Sequence, residues 1–196
     1  MRTIWSVVLF TLCSTLSLFA GDDDKHKQGN DQPTSVKVDV RDYCDPISFA
    51  VIGCARDTSV GFITLSGFNA ELAADKSVGA WRFIASPTQA EEGADLTIFN
   101  LGGETHTFTR VKKFGGGFVA GLNAASGNPE PAPECAQTVN GKLVPQPQGP
   151  DNIFLAAGTS ATAEVKEGTV AHFQCCIHPW MRTTIDTRDT DNHKDK

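Results

Sequence analysis

Between Phe173 and Met181 the chain reads Phe-Gln-Cys-Cys-Ile-His-Pro-Trp-Met, which places a thiol, an imidazole and a thioether within seven residues. Cys175, His178 and Met181 stand at Cys-x-x-His-x-x-Met spacing. A strand alternates its side chains between two faces, so a regular strand does not turn all three to one point, whereas a tight loop at a strand end can. Pro179 supports the loop, because it lacks a backbone donor and has a fixed φ, and the preceding strand cannot continue through it. The set reads as a loop that binds one ion.

The ligand types narrow the ion. A thiolate and a thioether are soft and an imidazole is borderline, a mixture suited to copper rather than to magnesium, calcium or manganese. An electron-transfer copper site has two histidines and a cysteine in a trigonal plane with a weak axial methionine, so a second histidine must come from elsewhere in the chain. Of the five histidines, His26 and His193 lie in polar termini. His172 alternates on its strand to the face opposite Cys175 and reads as a satisfied or exposed strand histidine. That leaves His106, which follows a strand-like run and the Gly102-Gly103 turn. The expected metal ligands are His106, Cys175, His178 and Met181, and the expected cofactor is one copper ion.

A distant histidine followed late in the chain by Cys-x-x-His-x-x-Met resembles the blue-copper cupredoxins. The resemblance covers roughly Val78 to Arg188. Its ligand loop is especially similar to the short loop of amicyanin, with Pro179 after the histidine and Trp180 before the methionine. Asn100, six residues before His106, falls where amicyanin-like and plastocyanin-like sequences place an asparagine at a strand end. The chain departs from the pattern at Thr107, where many members carry an asparagine whose side chain braces the cysteine loop; a threonine hydroxyl is the group available here. It departs again at the Cys175-Cys176 pair, of which the family spacing selects Cys175 as the ligand.

What the resemblance implies is an all-β, antiparallel Greek-key β-sandwich holding one type 1 copper. The implied protein is not an enzyme; it passes single electrons between redox partners by Cu(I)/Cu(II) cycling. The partner would be a redox protein such as a basic cytochrome c or a membrane or soluble oxidoreductase, and the chain itself a monomer. His178 is expected to bring its ring edge near the surface as the exit for electrons. Pro179 and Trp180 would then belong to an apolar contact patch, although Trp180 reads equally as a core plug between loop and sandwich. A copper-binding or copper-delivery protein using the same ligands without shuttling electrons is the alternative function. A multicopper enzyme is disfavoured because the chain has no His-x-His pair, and a catalytic zinc site because Met181 would have no role.

The remainder of the chain has to position that loop. Met1 to Ala20 carries Arg2, an apolar run from Ile4 to Phe19 and then the small pair Ala20-Gly21, which reads as a secretory signal peptide and implies a periplasmic or secreted protein. The alternative, a retained anchor, needs a span of about 20 apolar residues, and this run is shorter. Residues 21–35 are polar and read as a disordered linker. Residues 36–77 form an N-terminal extension packed on the sandwich, 78–188 the cupredoxin-like domain and 189–196 a polar tail.

Short β-like runs recur at Val36 to Val40, Gly61 to Ser66, Trp81 to Ala85, Leu96 to Asn100, Thr107 to Val111, Ala161 to Val165, Thr169 to Cys175 and Thr183 to Thr187, with a short helical hint at Asn69 to Asp75. Many short strands between Gly and Pro turns argue for a sandwich or barrel. Trp81 and Phe83 alternate onto one face and, with Phe173, read as core. Lys166-Glu167-Gly168 is a hairpin signal. Phe114 to Pro150 is a long Gly/Pro-rich loop insertion leaving the sheet just after the strand of His106; it reads as a shield for the copper, a docking surface or a plain surface insertion.

The formal charge of −6 becomes about −7 once Arg2 leaves with the signal peptide. With no basic stripe interleaved with aromatics, nucleic acid is excluded as a partner. Of six cysteines, Cys13 leaves with the peptide and Cys175 is assigned to metal. For the remaining four the local pair Cys44–Cys54 is favoured, which leaves Cys135–Cys176 to tie the insertion to the ligand loop, with a buried free thiol at Cys176 as the other reading.

Overall fold

The computed structural model describes residues 33–50, 62–165 and 170–188. The expected signal peptide, most of the linker, the tail and Cys54 lie outside the described residues. Among these, the strands are β1 (Ser35–Arg41), β2 (Arg82–Ser86), β3 (Asp95–Asn100), β4 (His106–Val111), β5 (Ala136–Val139), β6 (Lys142–Pro145), β7 (Asn152–Leu155), β8 (Ser160–Glu164), β9 (Val170–Gln174) and β10 (Arg182–Asp186). One sheet has the order β2-β1-β3-β8, a second β10-β9-β4-β7, and β5-β6 form a separate hairpin. The chain passes from one sheet to the other between β3 and β4, β7 and β8, and β8 and β9, giving an all-β sandwich of the Greek-key kind.

Period-two burial builds each sheet. Val36, Val38 and Val40 of β1 point inward while Lys37 and Ser35 face solvent, and Leu96 and Ile98 of β3 repeat the pattern beside them. The sheets meet through aromatic rings: Phe83 of β2 packs edge-on against Phe108 of β4 at 5.3 Å, and Phe108 stacks on Phe173 of β9 at 4.4 Å. Burial of each such side chain stabilises the fold by about 1.5–3 kcal/mol. Trp81 is buried among other rings, those of Phe49 and Phe68. β4 is buried on both faces, with Thr107 and Thr109 covered as fully as His106 and Phe108, because the insertion lies over its outer side.

Several expectations need correction. Residues 36–41, read as the start of an extension packed on the sandwich, form β1 inside the first sheet, between β2 and β3, where it pairs parallel with β3 from Ser35 opposite Asp95 to Val40 opposite Asn100. Such pairing links distant stretches and leaves no local signal at a boundary such as Val78. The strands flanking Lys166-Glu167-Gly168, β8 and β9, lie in different sheets and do not pair with each other as a hairpin would, and residues 166–169 themselves are outside the described residues. Of the run Gly61 to Ser66, only Ile63 makes a bridge, to Cys44. The following residues enter helix α2 (Leu65–Asp75), capped by Thr64 Oγ1, which accepts the Gly67 N–H at 3.2 Å. A four-residue helix α1 (Pro46–Phe49) precedes it.

The insertion is not plain loop. It contains α3 (Ala120–Ala125) and the β5–β6 hairpin, whose turn is Asn140-Gly141 with φ of 50° and 72°, the left-handed pair that a tight hairpin turn requires. β6 ends at Pro145, and the other prolines of the insertion lie outside α3 and the two hairpin strands.

Candidate metal centre

β9 ends at Gln174 and β10 begins at Arg182, which stand opposite each other, so residues 175–181 form the loop of an antiparallel pair. Two backbone bonds close it. The Cys175 N–H donates to the Met181 carbonyl at 3.0 Å, and the Met181 N–H donates to the His178 carbonyl at 2.9 Å. Cys175 and Met181 are 0% exposed and His178 is 6% exposed. His106 arrives from the neighbouring strand as the first residue of β4, also at 0%.

The structure brings His106, Cys175 and His178 together, with one donor atom from each lying within 4.8 Å of the other two. His106 Nδ1 lies 3.7 Å from Cys175 Sγ, and His178 Nδ1 lies 3.9 Å from it. A first-row divalent ion at about 2.0 Å from nitrogen and about 2.3 Å from sulfur, in a trigonal plane, separates such donors by roughly 3.7 Å. The donor set therefore fits one copper ion in both chemistry and dimension. Met181 joins through its loop backbone and shares the buried cluster that contains Cys175. His172 stays outside, with its Nδ1 3.3 Å from Thr184 Oγ1 and its ring edge-on to Phe114.

Two carboxylates that the sequence reading passed over complete the site. Asp42, just beyond β1, is 0% exposed, and its Oδ2 lies 2.8 Å from His106 Nε2. The same carboxylate accepts the Gly103 N–H at 2.6 Å and the Glu104 N–H at 2.8 Å, so it holds the β3–β4 turn as well as the ring. A Cβ at Gly102 would overlap that carboxylate, which is the reason for a glycine there. Asn100 braces the same turn: its side-chain amide donates to the carbonyls of Glu104 and Leu155 and its Oδ1 accepts the Gly102 N–H. Glu104 in turn reaches the second ring, Oε2 lying 3.3 Å from His178 Nε2, and it accepts a hydrogen bond from Trp81 Nε1 at 3.4 Å.

Thr107 takes the bracing role open to a hydroxyl at its position. Its Oγ1 accepts the Cys176 N–H at 2.7 Å, and its own N–H points at Cys175 Sγ at 3.4 Å. The insertion is sewn to the same loop. Cys135 and Cys176 form a disulfide, the Phe118 N–H donates to the Cys176 carbonyl, and Gly117 sits where a Cβ would strike that carbonyl. Arg182 bonds to the Pro179 carbonyl and to Asn128 of the insertion, both at 2.7 Å. Cys44 is disulfide-bonded; the expected partner Cys54 lies outside the described residues.

Electrostatics follow from this geometry. Burial pushes the His106 imidazolium down, but the hydrogen bonds to Asp42 and to the Cys175 sulfur outweigh it and raise the group to about 9. Burial likewise opposes charge on Cys175, yet the two imidazoles beside it hold the thiol well below its ordinary value. His178 is raised against its own burial by the sulfur and by Glu104, and Glu104 is lowered, against burial, by His178. Each of the three groups is thus shifted by its neighbours toward its charged form.

One expectation fails. The edge of His178 does not reach the surface: Glu104 caps Nε2, and the ring packs against Trp180 at 5.4 Å and lies 6.4 Å from Trp81. Pro179 is buried, and Trp180 is the core plug, half-buried against Phe68 of α2 at 5.9 Å. The residues between β1 and β2, read as an extension, supply this cover; no pattern within the ligand loop announces it.

No family model matches the chain, and no curated protein matches it. Among solved structures the chain is similar to a purple cupredoxin from Nitrosopumilus maritimus, with 14% identity over 76% of this chain and 96% of that one and a TM-score of 0.35. A likeness of that size carries no argument by itself. The fold stands on the strand order, and the site on the spacing of three donors: a two-sheet β-sandwich carrying a His–Cys–His cluster compatible with a type 1 copper site.

Proposed function

We propose that this protein is an exported mononuclear type 1 copper protein that carries single electrons between redox partners, with His106, Cys175, His178 and Met181 as ligands and no catalytic activity of its own. The observation that carries the reading is the pair of Nδ1–Sγ separations, 3.7 and 3.9 Å, around one buried thiol. Copper would supply the one-electron couple. The protein's part is to hold the donors still: Thr107 and the Cys175–Met181 backbone bond tie the loop to β4 and to itself, so the ligand positions are set by the fold. Little rearrangement between oxidation states is what fast electron transfer requires.

Burial of the donors supports retention of the metal through repeated cycles over its surrender to an acceptor, and so favours a carrier over a delivery protein. Electrons would pass from His178 through Trp180 to Phe68, rings separated by 5.4 and 5.9 Å, toward the α1–α2 face. The net charge of about −7 left after removal of Met1 to Ala20 favours a basic redox protein as partner at low salt. Export rests on the signal-like segment Met1 to Ala20; among the described residues no helix is long and apolar enough to cross a membrane.

The test is a visible absorption spectrum of the protein loaded with Cu(II), before and after ascorbate, beside a Cys175→Ser variant. The expected result is an intense thiolate-to-copper band that bleaches on reduction and is lost in the variant. Copper bound without that band, or a preference for zinc, would end the electron-transfer reading.

A further inference from the structure

Each imidazole of the centre turns Nδ1 toward the sulfur and Nε2 toward a carboxylate: Asp42 at 2.8 Å for His106, Glu104 at 3.3 Å for His178. We propose that Asp42 and Glu104 are paired positioning residues that make both imidazoles electron-rich, bias the centre toward Cu(II) and so lower its reduction potential. The inference rests on the copper-carrier reading above and adds a regulation of that same site.

Three observations carry it. First, a carboxylate on the far nitrogen of a metal-bound imidazole fixes the ring and raises its basicity as a ligand. Here both rings have one. Second, the carboxylates are built in as a unit. Asp42 accepts the Glu104 N–H, Asn100 bonds the Glu104 carbonyl, and Trp81 Nε1 steers the Glu104 carboxylate. One turn thus serves both rings. Third, the charges add in one direction. The thiolate and two carboxylates would place three negative groups around one bound ion, so a dication is matched better than a monocation, and the burial of Cys175 and Asp42 weakens the screening between them and that ion.

The experiment is a redox titration of the full copper-loaded protein, comparing the unsubstituted chain with Glu104→Gln and Asp42→Asn, each checked by its visible band. Glu104→Gln keeps the shape and removes one charge. It is expected to lower the ratio of Cu(II) to Cu(I) affinity at least tenfold, a rise of about 59 mV for a one-electron couple, with the band retained. Asp42→Asn is expected to raise the potential further. In the metal-free protein it should also shift the Nε2–H resonance of His106 in nitrogen NMR, a readout that needs no copper. If Asp42→Asn fails to fold, Glu104→Gln decides alone. An unchanged potential with an intact band overturns the proposal and leaves the copper reading standing. Absence of the band in the unsubstituted protein overturns both.

Discussion

The two imidazoles of this centre are alike in contact and unlike in setting. His106 is wholly enclosed, starts a central strand and leans on a carboxylate that is 0% exposed and accepts three N–H donors. His178 rides on a loop, and its carboxylate, Glu104, has a side chain 30% exposed and a longer contact. The inner ring is part of the architecture, since the residue that holds it also holds the β3–β4 turn. The outer ring is adjustable: its partners Glu104 and Trp180 lie outside the strands and can be altered without undoing a sheet. A site that must be rigid for the metal and open to tuning has divided those demands between its two histidines.

The comparison can be broken first at Asp42. Asp42→Ala leaves two backbone N–H groups and a histidine nitrogen without their buried acceptor, and is expected to destabilise the protein by about 3–5 kcal/mol in denaturant unfolding. A loss near 1 kcal/mol would mean the inner ring is no more structural than the outer. Thr107→Val, beside the inner ring, removes the acceptor of the Cys176 N–H, with an expected loss of about 1–3 kcal/mol and a displaced visible band. Both effects should appear together, because the same hydroxyl steadies fold and ligand loop. At the outer ring, Glu104→Ala is expected to reduce stability by about 1 kcal/mol or less, since its carboxylate is partly solvated. A larger loss would erase the contrast.

Acidity sharpens the same contrast without mutation. The folded His106 group is raised to about 9 from 6.5, so in metal-free protein it contributes stability that is fully present below about 6.5 and is lost as pH rises through about 9. Copper competes for the Nδ1 that carries the proton on the sulfur side. Apparent copper affinity is therefore expected to increase with pH across that window, with proton release on binding, as read by copper titration in weakly buffered solution. Flat affinity from 6.5 to about 9 would show that His106 holds no such proton.

Much of this centre was legible because the chain writes three of its four expected ligands within seven residues, and few histidines compete for the fourth place. The carboxylates were not legible. Asp42 and His106 are 64 residues apart and meet only because β1 pairs parallel with β3, a relation with no local period. Gly102-Gly103 could be read as a turn, but the reason for its first glycine is a side chain that far away. The burial of His178 was missed for a related reason: Trp81 lies against it and Phe68 of α2 backs its neighbour Trp180, residues about a hundred positions earlier whose rings read equally well as core. The hairpin inside the insertion did carry a signal, Asn140-Gly141, which the surrounding prolines masked.

The Cys135–Cys176 bond has a consequence for how the protein matures. With both neighbours reduced, the ligand loop would present two adjacent thiols to an incoming soft ion, and copper held by the second would leave the imidazoles facing the wrong sulfur. Oxidation removes that choice, since among the described residues Cys175 is the free cysteine and its neighbour is occupied. With Cys176 held in the bridge, Cys175 is the sulfur left to face the two imidazoles.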